Sequence, residues 1–143
     1  MPEPTNMFLV VGALLSATAA ILHLAIIVGG PNWYRFFGAG ERMASAAAQG
    51  RHYPAVITAG IAAVLGLWAV YALAGAGAIH PLPLVKPALI GITAIYVLRG
   101  VAFVPAVVAT GGRITPFVLW SSAICLGFGI VHLLGLIQRW PVL

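Results

Sequence analysis

Acidic residues are almost absent. Glu3 and Glu41 are the only carboxylate side chains in 143 residues, so no pair of acids is available inside an apolar run. That excludes the multi-acid chemistry of phosphatidyl transferases and intramembrane proteases, which need several carboxylates or a nucleophile–base set. Cysteine is nearly missing too. The single Cys125 rules out an internal disulfide framework and any multi-cysteine metal site, and its apolar surroundings suit an inert buried thiol. No GxSxG elbow, HExxH pair or Walker loop is present. The short strings Gly38-Ala39-Gly40 and Gly75-Ala76-Gly77 do not form a nucleotide loop. No catalytic residue is assigned, and no cofactor or metal is expected.

Charge of either sign is scarce. Charged residues make up 6% of the chain and hydrophobic ones 62%, with a mean hydropathy of +1.09. A soluble domain carries about a quarter of its residues charged, so most of this surface must face lipid. The net charge of +5 is no nucleic-acid footprint, because the basic residues fall between apolar runs, as membrane anchors do.

Four apolar runs are present, at about 7–28, 55–76, 84–108 and 116–137. Each is long enough to cross a ~30 Å hydrocarbon core, and lipid forces each to satisfy its backbone internally as a helix. No basic residue precedes the first run, and that run is too long for a signal h-region, so it reads as a retained helix. The expected fold is an all-α membrane protein: one domain, a four-transmembrane-helix antiparallel bundle. Segment 30–53, with Trp33 and Tyr34 beside Arg35, reads as interfacial or re-entrant, with one short helix from Glu41.

The connection between the first two runs and that between the last two share one face of the membrane. Arg35, Arg42, Arg51 and Arg113 lie on that side, against Lys86 and Arg139 on the other. The bias makes the four-arginine side cytoplasmic and places both termini outside.

The polar residues within the runs carry what functional signal there is. Gly12, Ser16, Ala19 and His23 share one helix face, as do Ser122, Cys125, Gly129 and His132. The strings around the two histidines, Ile21-Leu22-His23-Leu24 and Ile130-Val131-His132-Leu133, are alike and run in opposite directions, the pattern an inverted repeat leaves. On the helical rise the two histidines differ in depth by roughly 15 Å, too far to share one metal or haem.

Arg99 sits near mid-bilayer, where an arginine costs about 2.5–3.5 kcal/mol and cannot deprotonate to escape. Pro105 frees the carbonyl of Val101 beside Gly100, which offers one structural partner. Depth groups Arg99 with His23, Tyr96 and Glu41 as a substrate-binding cluster. Trp68 and Tyr71 lie towards His132 as a possible second polar site. These residues point to a small homo-oligomeric transporter or channel-like protein for an anionic or weakly acidic solute. The other readings are an accessory subunit whose Arg99 pairs with a membrane-protein partner, and an enzyme or binding protein for a lipid-soluble substrate.

Overall fold

The computed structural model of the protein describes residues 4–143, so Glu3 lies outside the described residues. Six helices are formed: α1 (Met7–Gly29), α2 (Pro31–Phe36), α3 (Glu41–Ala48), α4 (Tyr53–Ala76), α5 (Val85–Ala109) and α6 (Pro116–Arg139). No strand occurs among the described residues. α1, α4, α5 and α6 are each long and apolar enough to cross a membrane, which marks an integral membrane protein. Their ends fall within two residues of those expected from the apolar runs.

The spans are apolar on both faces. On α1, Met7, Leu14, Ile21 and Val28 recur every seventh residue and are 62–90% exposed, while Leu9, Ala13, Ser16 and Ala20 are buried. A surface helix in water would carry polar residues on the exposed stripe; here both stripes are greasy, as lipid requires. The buried stripes step by three and four: Thr58, Ala62, Leu65, Ala69 and Ala72 on α4, and Leu89, Thr93, Tyr96 and Gly100 on α5.

The chain divides into two compact units. One joins residues up to Ser16 with Trp68–Leu143; the other is Ala17–Leu67. In the first, Asn6 caps α1: its Oδ1 accepts from Leu9 N at 3.0 Å, and its Nδ2 donates to Gln138 Oε1 of α6 at 2.7 Å. Its backbone N–H reaches Ala76 O at 2.9 Å, tying the start of α1 to the end of α4. α5 and α6 pack through reciprocal glycines. A Cβ on Gly100 would fall 2.7 Å from Leu126 N, and one on Gly129 would fall 2.9 Å from Val97 N. Backbone therefore meets backbone at both points, the close approach small residues allow. Pro105 is accommodated inside α5, and Thr115 caps α6 by accepting from Val118 N at 3.3 Å.

In the 17–67 unit, the connection after α1 holds two short helices where one was expected. Gly30, at φ 71°, turns the chain into α2, whose Pro31 sits in the first turn. Tyr34 is buried against Ile26 and Ala44, and its hydroxyl lies 3.2 Å from Thr58 Oγ1. Arg35 then clamps Glu41 with two bonds, Nε to Oε2 at 2.9 Å and Nη2 to Oε1 at 2.8 Å. The pair joins the end of α2 to the first turn of α3.

Candidate functional site

Arg99 projects from the α5 face that meets α6. Its Nη2 donates to Ser121 Oγ across a long 3.4 Å, and the Ser121 hydroxyl donates to Val118 O at 3.3 Å. Its guanidinium carbon lies 3.5 Å from the centre of the Phe103 ring, one turn along α5. Nη1 is buried and has no hydrogen-bond partner. The charge is therefore met by one neutral hydroxyl and one aromatic face. A guanidinium offers five N–H donors in a planar fork, and an anion is the acceptor that suits it best.

One turn earlier, Tyr96 faces a different set. Its hydroxyl shares a 2.9 Å bond with Ser16 of α1. Its ring meets Trp68 at 5.1 Å, Phe128 at 5.4 Å and His132 at 5.2 Å between centroids. His132 is fully buried; its Nδ1 donates to Phe128 O at 2.8 Å, which leaves Nε2 as a bare acceptor without a partner. That ring fills the space a side chain at Gly12 would take, with His132 Cε1 only 2.8 Å from a Cβ built there. Thr93 Oγ1 and Ser122 Oγ are likewise buried and unpartnered. No family model, curated protein or solved structure matches this chain.

Tyr96 joins Trp68 and His132, the members of the second polar set, through ring contacts. Tyr71 is half-buried on α4. His23 and Glu41 belong to the 17–67 unit and have partners there. His23 Nδ1 donates to Ala19 O at 2.7 Å, the same bond to the carbonyl four residues back that His132 makes. Glu41 spends both oxygens on Arg35 and also accepts from Ser45 Oγ at 2.8 Å. Arg35, Ser45 and the charge of the guanidinium hold its carboxyl down at about 2, well below the usual 4.5. The sequence marks Ser121 as a helix-interface residue but does not pair it, or Phe103, with Arg99. Phe103 stands four residues after Arg99, the spacing that stacks side chains on one helix face, and that signal was available. Ser121 comes from another helix, and no local pattern announces it.

Proposed function

We propose that the chain is a small four-helix membrane transporter that binds a small anionic or weakly acidic solute at Arg99. In this reading the spans form an antiparallel bundle assembled as a homo-oligomer. The α2–α3 segment lies at the cytoplasmic interface, and both termini lie outside. One observation carries the proposal: a permanent cation within a span, bonded to a neutral hydroxyl, with a buried donor nitrogen left unpartnered. Retaining such a group without an anion costs several kcal/mol, and a bound solute anion is what would offset it. Glu41, held near 2, stays ionised at neutral pH and is not a proton carrier in this reading.

Because Arg99 is half-buried rather than enclosed, an acidic residue of a partner membrane protein is the second reading. Thermal unfolding in detergent with a panel of small anions at fixed ionic strength separates the two. A transported anion should raise the melting temperature of the isolated protein; a ligand at 100 times its dissociation constant adds about 2.7 kcal/mol. The effect should weaken in Arg99→Lys, which loses the planar fork, and vanish in Arg99→Leu, which should itself be at least as stable as wild type. If Arg99→Leu instead loses about 1–3 kcal/mol, Arg99→Lys behaves normally and no anion stabilises, Arg99 is a structural tie.

A further inference from the structure

Arg99 is the one charged side chain in the interior of any span. α1 and α4 carry no Lys, Arg, Asp or Glu, Lys86 is the second residue of α5, and Arg139 is the last of α6. Along α5 the step from Lys86 to Arg99 is roughly 20 Å. The spans therefore supply a single positive charge at the depth of Arg99.

The surroundings of that charge limit how it can be used. The Phe103 ring covers one face of the guanidinium, its centre 3.5 Å from Cζ. Hydrogen bonds to the group run in its own plane, along the N–H directions. Ser121 accepts one of them, and its own proton goes to Val118 O. The serine has no proton left for an anion, so the donors come from the guanidinium edge. Nη1 on that edge is shut off from solvent and has no partner, and an anion that bonds there must leave its water behind.

Charge and shape then narrow the ligand. A single cation neutralises a monoanion but leaves a dianion with net charge in a low-dielectric span. The cost of stripping water from an ion also rises with the square of its charge. Two parallel N–H bonds fit an anion with two oxygens on one edge, and a spherical halide cannot take both in line. Building on the reading of Arg99 as an anion site, we infer that its solute is a monovalent planar oxyanion, the chemistry shared by a small monocarboxylate and by nitrate. Sulfate is refused by its second charge and chloride by its shape.

Binding of radiolabelled formate and radiolabelled sulfate to the full-length protein in detergent tests this. The buffer is zwitterionic, low in salt and neutral, with unlabelled nitrate, chloride and sulfate as competitors. Formate should bind saturably and be displaced by nitrate. Chloride should need roughly tenfold more than formate itself, about the worth of one hydrogen bond to a charged group. Sulfate should neither bind nor compete. Nitrate displacing formate at far lower concentration marks an inorganic oxyanion as the source, and the reverse marks a carboxylate. Arg99→Lys should bind formate more weakly and no better than chloride, because an ammonium lacks the planar fork. Chloride competing as well as formate, or sulfate displacing it, overturns the inference while leaving Arg99 an anion site. Wild type that binds neither labelled anion contradicts the underlying reading as well, as does Arg99→Leu that binds formate like wild type. Should the Arg99 variants not fold, the order of the competitors in wild type decides the inference by itself.

Discussion

Arg99 and Glu41 are both charged residues in a chain with little charge, and they meet opposite conditions. Glu41 is exposed and paired, so its carboxyl titrates far below the ordinary range. Because the folded value is depressed, the contribution of this pair is present at neutral pH and is lost as pH falls from the usual 4.5 through about 2. Melting of wild type and Glu41→Gln should therefore differ at pH 7 and converge as pH falls through about 2, with the gap at pH 7 shrinking in high salt because the pair is exposed. A gap that widens on acidification would show that Glu41 acts otherwise. Among the described residues, no acid pairs with Arg99. Phe103→Leu removes the face beneath its guanidinium and should cost about 0.5–2 kcal/mol in thermal unfolding, whereas Ser121→Ala, which removes only a long bond, should cost less. At this scale the sequence announced which residues were costly, since composition and position suffice for that. It did not announce their partners: Ser121 and Ser16 are brought to α5 from other helices, and tertiary packing alone decides that meeting.

The long helices were legible because lipid imposes a length and an apolar composition that soluble proteins need not obey. The helix α2 was not foreseen, since Pro31-Asn32-Trp33-Tyr34-Arg35-Phe36 looks like an interfacial loop until Tyr34 is seen buried against Ile26 and Ala44. Small residues were recognised on α1 and α6, and their use is now specific. Gly100 and Gly129 let two backbones touch, so a substituent at either must push a helix and not merely a side chain. Gly100→Val or Gly129→Val should cost about 1–3 kcal/mol or more in thermal stability. Gly12 differs, because what it accommodates is the His132 ring. Gly12→Ala should be destabilising alone and much less so in a His132→Ala background, and a double-mutant cycle measures that coupling. Additive costs would show that the ring does not depend on Gly12.

For the molecule as a whole, the scarcity of charge and the four long apolar helices mark a membrane protein, and the bias of basic residues between the connections predicts its orientation. In a Cys125→Ala background, cysteines introduced at Thr5 and Gly112 should label from opposite faces, with Thr5 reached from outside. Labelling of Gly112 alone from outside would invert the orientation. The proposed function is that the protein moves a small anion past Arg99. Its most direct test is current on a solid-supported membrane from proteoliposomes carrying equal amounts of wild type or Arg99→Leu, driven by gradients of halides, formate, phosphate and sulfate. At least one of these anions should give a saturable current with wild type that is absent with Arg99→Leu. If no anion in the panel gives wild type a saturable current above that of Arg99→Leu, the claim is contradicted.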